Sequence, residues 1–298
     1  LKNHHRLFRQ QMKGILLAGG TGSRLYPITK TVSKQLLPVY DKPMVYYPLS
    51  TLLSLGISEV LIITTPRDQS AFQALLGDGS SLGCSFSYAV QPKPNGLAEA
   101  FLIGANFIGI DSVALILGDN LFYGNDIQKQ SPSANFTGGL IFGTHVQNPG
   151  RYGIVELDGK GNVKSIKEKP KNPKSNFAIP GLYFFDHTVL EKAKQVKPSA
   201  RGELEITDIH NAYWKEDRLR VAILEQDTAW LDTGTVQSLS KAYTFVEAIQ
   251  SRQGVLVGSP ELAAYKQGFI DLPELKALAS SYKEAEYSKY LKRWIDEQ

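Results

Sequence analysis

The stretch Gly14-Ile-Leu-Leu-Ala-Gly-Gly-Thr-Gly-Ser-Arg-Leu25 decides the fold. Residues 14–18 are a short apolar run without polar alternation, which reads as a strand covered on both faces. The run ends directly in glycines at 19, 20 and 22, so the chain turns tightly where the strand stops. Outward from it, strand and helix patterns alternate. Apolar residues at helical spacing over 44–55 stop at Gly56, a C-cap signal. Residues 60–63 read as a second buried strand, 66–76 as a helix stopped by Gly77, and Ser85–Val90 as a third strand. A helix over 96–107 and a fourth strand, Val113–Leu117, lead to Gly118-Asp119. Repeated strand–helix–strand units predict an α/β fold with a parallel core sheet between helices. Such sheets bind ligands beyond the carboxyl ends of their strands.

The second half changes character. Runs at 138–145, 153–157, 163–167 and 179–185 are closely spaced strand patterns, and Asp158-Gly-Lys-Gly161 is a hairpin turn. They predict a mixed sheet or a β-rich insertion. From Thr235 the chain turns helical. Its last stretch places Tyr287, Leu291, Trp294 and Ile295 on one helical face, expected to pack on the body or on another copy.

Composition narrows the class. With 42% hydrophobic and 21% charged residues in 298, the chain is of the globular and not the disordered kind. No run of 18 apolar residues occurs, so no membrane helix is expected. The single cysteine, Cys84, rules out an internal disulfide, suits a cytoplasmic location and reads as a small core residue. The formal charge of +4 is concentrated at one end: Lys2, Arg6 and Arg9 lie in the first eleven residues. The remainder is nearly neutral, which excludes the broad basic surface of a nucleic-acid binder. Met12 directly precedes the first strand, so residues 1–11 read as a disordered extension.

The glycine turn lets backbone N–H groups approach phosphate oxygens, and Arg24 adds a charged fork. Two familiar phosphate motifs do not fit. A P-loop would need Lys-Ser/Thr after Gly19, where Gly20-Thr21 stands; the dinucleotide fingerprint would need glycine at Leu25. His145, His187 and His210 share no ligand spacing, so neither zinc nor a serine triad is supported.

More specific signals lie downstream. Lys34-Gln-Leu-Leu-Pro-Val-Tyr-Asp-Lys-Pro-Met-Val-Tyr-Tyr-Pro48, Gln91-Pro-Lys-Pro-Asn-Gly-Leu97, Leu117-Gly-Asp-Asn120, Arg151-Tyr-Gly153, Glu168-Lys-Pro170, Arg201-Gly-Glu-Leu-Glu-Ile-Thr-Asp208 and Trp230-Leu-Asp-Thr-Gly234 occur in that order. With them the chain resembles the sugar nucleotidylyltransferase family over nearly its whole length from Met12. The resemblance implies a Rossmann-like nucleotide-diphospho-sugar transferase fold: a mixed, mostly parallel central sheet flanked by helices, a β-rich sugar-binding part and a helical C-terminal part. It implies a catalytic domain over 12–240, with a nucleotide half at 12–135 and a sugar half at 136–240. Residues 241–298 would serve regulation or oligomerisation.

It further implies a Mg2+-dependent reaction of dTTP with glucose 1-phosphate. The sugar phosphate would attack the α-phosphorus in line, giving dTDP-glucose and pyrophosphate, the first step toward dTDP-rhamnose. By the resemblance, Leu17, Ala18, Gly19, Gly20, Thr21, Gly22, Arg24, Lys34, Gln35, Gln91, Pro94, Gly96 and Asp119 hold the nucleotide, Gln91 and Gly96 reading its base. Asn120, Gly153, Glu168, Lys169, Ile179, Tyr183, Arg201 and Trp230 hold the sugar phosphate. Asp119 and Asp232 hold the metal, and Arg24, Lys169, Asp119 and Asp232 carry catalysis. A cytoplasmic homotetramer, inhibited by dTDP-rhamnose near Lys266, is also implied. Two alternatives stay open: the same chemistry with UTP, and a sensor of sugar nucleotides without activity.

Overall fold

The computed structural model describes residues 12–297; the extension read over 1–11 lies outside the described residues. Among the described residues fourteen strands occur: β1 Lys13–Ala18, β2 Pro38–Val39, β3 Lys42–Pro43, β4 Glu59–Thr64, β5 Ser85–Val90, β6 Val113–Leu117 and β7 Asn120–Tyr123, then β8 Gly139–His145, β9 Gly153–Leu157, β10 Val163–Glu168, β11 Phe177–Ala178, β12 Leu182–Phe185, β13 Leu219–Ile223 and β14 Ala229–Asp232. The main sheet runs β10-β9-β11-β8-β12-β6-β1-β4-β5, with β13 also on β8. It is parallel across β6, β1, β4 and β5 and antiparallel from β12 to β10.

β1 lies at the topological switch: β4 and β5 follow on one side, and β6 returns to the other. Leu17 pairs with Leu117, so both strands end at one level and open a crevice beyond them. Side chains on β1 alternate between two cores. Leu16 and Ala18 join one, Ile15 and Leu17 the other, as a strand between two helical layers requires.

Several sequence expectations need correction. The helix expected over 96–107 is two short ones, Glu99–Ile103 and Ala105–Ile108. Its first residues are claimed by a crossing segment instead: Leu204 donates to the Asn95 carbonyl and Ala98 to the Leu204 carbonyl. Of the strand expected over 179–185 only β12, Leu182–Phe185, forms; β11 ends at Ala178, and Pro180, which has no N–H for a ladder, lies in the gap. The expected boundary at 240 falls inside the helix Val236–Gln253, which begins with a capping box at Thr235 and Ser238. The last helix, Glu286–Asp296, buries Tyr287, Leu291 and Ile295 in the same core as Leu49, Leu52 and Leu53 of the helix Tyr46–Ser54. The C-terminal helices are thus built onto the body. Among the described residues no helix is long and apolar enough to cross a membrane.

Candidate active site

Two adjoining chambers, of about 280 Å3 and about 200 Å3, open beyond the ends of β1 and β6. Leu17, Gly19, Gly20, Lys34, Gln35, Gln91, Pro94 and Gly96 line the larger. Asn120, Gly153, Ile179, Tyr183, Trp230 and Asp232 line the smaller. Arg24, Asp119, Glu168 and Lys169 line both, so charged groups converge where the chambers meet.

Asp119 follows β6 after one glycine, Gly118. Asn120 opens β7 and pairs with Asp232 at the end of β14, and this two-stranded ribbon brings two distant carboxylates to one cavity. The backbone N–H of Thr233 (3.2 Å) and its hydroxyl (2.8 Å) donate to the Asp119 carbonyl, fixing the turn. Asn120 is the knot between them. Its amide donates to Asp119 Oδ1 at 3.0 Å, and its carbonyl oxygen accepts from Trp230 Nε1 at 2.6 Å and Gly181 N at 3.0 Å. The Lys34 ammonium is paired with the other Asp119 oxygen. Burial pushes the Asp119 carboxyl up, but Lys34 and the Asn120 amide outweigh it and hold it below the usual carboxylate range.

Asp232 accepts from Gly234 N at 2.8 Å, from Arg151 Nη2 at 3.2 Å and from the Tyr152 hydroxyl at 3.2 Å. A Cβ on Gly234 would stand 2.8 Å from that carboxylate and 2.9 Å from Arg24 Nη2. A side chain at 234 would collide with both groups, so glycine leaves the room they occupy.

The nucleotide-side wall is preset by its own hydrogen bonds. Gln35 Nε2 donates to the Gly19 carbonyl at 3.2 Å, and Ser33 donates to Gln35 Oε1 at 2.7 Å. Gln91 donates to the Gly96 carbonyl (3.1 Å) and to Glu99 (2.8 Å), leaving its carbonyl oxygen facing Gly19. Gly96 has φ +112, and a Cβ there would meet the Leu204 backbone at 2.4 Å. Three residues expected on this wall line neither chamber. Ala18 is fully buried because strand alternation sends it into the core. Left-handed turns at Gly20 and Gly22 carry Thr21 toward a separate depression beside Tyr26, Arg67 and Lys93. Gly22 packs on Thr29 instead.

On the other wall, burial pushes the Glu168 carboxyl up, and Glu205 adds to the effect against Lys169 and Arg201. Lys169 and Arg201 lie 3.4 Å and 3.5 Å from it. Lys169 takes the left-handed backbone conformation, φ 39, an uncommon state for a side-chain-bearing residue. Arg201, expected against the sugar, lines only the larger chamber. Its guanidinium is held by Glu205 at 2.8 Å, at the start of the helix Ile206–Lys215.

Sequence reasoning missed Arg151, Tyr152, Thr207 and His210, all on the smaller chamber. The first three lie inside the motifs Arg151-Tyr-Gly153 and Arg201 to Asp208. Nothing in the spacing marks His210. A further group of carboxylates, Asp126, Glu225 and Asp227, gathers within 4.8 Å at the opposite end of the β7–β14 ribbon, where Tyr123 pairs with Ala229. None of the three lines either chamber.

A glycine turn and cations facing paired carboxylates, at the switch point of an α/β sheet, define a nucleotide-dependent transferase. Residues 13–249 match the family model described as nucleotidyl transferase, and the chain belongs to that family. Over 96% of the chain and 99% of the relative, it is 53% identical to a glucose-1-phosphate thymidylyltransferase of Mycolicibacterium smegmatis. It is 51% identical to a protein of the same name from Neisseria meningitidis, over 95% and 99%. Among solved structures, a Bacillus anthracis protein assigned that activity and crystallised with sucrose superimposes with TM-score 0.72 at 41% identity, over 78% of this chain and 94% of that one. A UDP-glucose pyrophosphorylase complexed with UDP-glucose gives 0.67 at 26%, over 80% and 99%.

Proposed function

We propose that the chain transfers the thymidylyl group of dTTP to α-D-glucose 1-phosphate, releasing pyrophosphate and giving dTDP-glucose. The observation that carries this is the meeting of Arg24, Asp119 and Lys169 where the two chambers join, with Asp232 on the wall of the smaller one. An acceptor phosphate is already anionic near neutral pH, so no protein nucleophile is needed. The obstacle is repulsion between polyanions, and the protein's task is positioning and charge neutralisation. Gly19 and Gly20 present a bare backbone to the triphosphate, with Lys34 on its phosphates. Arg24 faces the charge building at the α-phosphorus, and Lys169 orients the attacking phosphate. The Gln91 carbonyl suits the N3–H of a pyrimidine. Glu168 and Tyr183 offer oxygens to sugar hydroxyls.

Asp119 and Asp232 fit Mg2+ by their chemistry: two hard carboxylates, each already countering a cation, Lys34 or Arg151. Bound there, Mg2+ would neutralise triphosphate charge. Thymine and uracil differ by one methyl, worth about 1–3 kcal/mol in a pocket, so UTP is expected as a poorer donor. The same family likeness supports a cytoplasmic homotetramer inhibited by dTDP-rhamnose, testable by sedimentation and by inhibition of turnover.

The deciding experiment pairs each of four nucleoside triphosphates with glucose 1-phosphate and measures Mg2+-dependent pyrophosphate. The expected order is dTTP first and UTP second. Nucleotide binding without pyrophosphate from any pair would replace the enzyme by a sensor.

A further inference from the structure

His210 is the buried ionisable group that this chemistry leaves unused. It lies one turn into the helix Ile206–Lys215, borders the smaller chamber and has 0% of its surface exposed. Among the described residues neither ring nitrogen has a hydrogen-bond partner, although both are buried. Its neighbours satisfy shape and not polarity. The Tyr183 ring lies at 5.0 Å and tilted, the Phe185 ring at 5.9 Å and stacked, centroid to centroid. Burial pushes the imidazole down to about 3, so it is neutral, with one N–H to donate and one lone pair to accept. An aromatic hydrocarbon would fill such a slot without leaving polar atoms unpaired. Thr207, on the same helix, and Glu168 close on Gly153, where a Cβ would meet them at 3.2 Å and 3.4 Å. The wall around His210 thus carries Glu168, Tyr183 and Thr207, groups suited to an uncharged, hydroxyl-bearing portion of a ligand, while Lys34 lines only the other chamber.

We propose that His210 is a specificity-determining residue, its imidazole hydrogen-bonding one hydroxyl of the sugar 1-phosphate seated against Glu168 and Tyr183. The assignment rests on the transfer reaction proposed above. A site built to pair a hydroxyl rejects the analogue lacking it far more strongly than an apolar pocket does, because its own polar atoms are then left unpaired.

The test compares wild type, His210→Phe and His210→Asn, each with dTTP and either glucose 1-phosphate or its 2-, 3-, 4- and 6-deoxy analogues. Wild type should lose at least about tenfold in kcat/KM for one analogue. His210→Phe should lose a similar factor with glucose 1-phosphate, chiefly in KM, yet discriminate against that analogue less than twofold. His210→Asn, which keeps a donor and an acceptor, should recover part of the discrimination. Unchanged discrimination at every position in His210→Phe would overturn the proposal. Should His210→Phe not fold, the wild-type protein with 15N-labelled histidines decides. A His210 ring-nitrogen shift should answer to glucose 1-phosphate but not to the critical deoxy analogue, and no shift with either would overturn the assignment. No turnover in wild type would instead refute the transfer reaction itself.

Discussion

Arg24 and Lys34 stand on short turns of the segment that leaves β1, and Gln91 follows β5 directly; local bonds brace these backbones, and the Lys34 ammonium reaches Asp119. Across the cleft, Glu168, Tyr183 and Thr207 come from two antiparallel strands and a helix, and Asp232 from a ribbon strand far along the chain. The first wall is cationic and suits phosphates. The second carries carboxylate, phenol and hydroxyl groups suited to sugar hydroxyls. Charge is handled by local turns that present guanidinium, ammonium and bare backbone. Selection among uncharged hydroxyls relies on side chains gathered from distant elements.

The contrast can be broken at the ribbon. Asp119→Asn should lower kcat at least a thousandfold, about 4 kcal/mol of transition-state stabilisation, in a steady-state assay. Asp126→Asn, at the ribbon's other end, should stay within twofold. Equal losses would mean that the ribbon's integrity, and not the placement of Asp119, is what turnover reports. On the cationic wall, Arg24→Ala should cost about 3 kcal/mol in kcat/KM. Turnover within threefold of wild type would remove Arg24 from the mechanism.

A smaller effect concerns the hydroxyl-facing wall. His210 titrates lower in the folded chain, at about 3, than in the unfolded one, so protonation favours unfolding. Its contribution to stability is complete above about pH 6.5 and is lost as pH falls toward 3, by about 1.4 kcal/mol per unit. Urea titrations from pH 7 to pH 4 should show that slope reduced in His210→Phe; identical slopes would place the histidine in a solvated environment. Smallest is Trp230→Phe, which removes the bond to Asn120. About 1 kcal/mol of stability and less than tenfold in turnover should be lost. Wild-type values for both would show that Asn120 holds Asp119 without Trp230.

Much of this was legible in sequence. The runs at 14–18, 60–63 and Val113–Leu117 are apolar throughout, and burial on both faces leaves that mark. β7 and β14 were not foreseen. Each has four residues, combines a single Asn or Asp with leucine and aromatic side chains, and gains its ladder only from the other. The helices Val189–Gln195 and Ile206–Lys215 were missed as well. His210 was set aside with His145 and His187, because histidines without ligand spacing mark no site.

From sequence alone came the order of the nucleotide half, the glycine turn with Arg24 behind it, and the family to which the motifs point. These are properties of contiguous residues, whose propensities and turn geometry act over a few positions. Only the tertiary structure decided that Asp232 returns to Asn120 and that His210 ends beside Tyr183, its ring nitrogens without a partner among the described residues. Those outcomes depend on which distant surfaces exclude water together, and burial is a property of the assembled chain, not of any window along it.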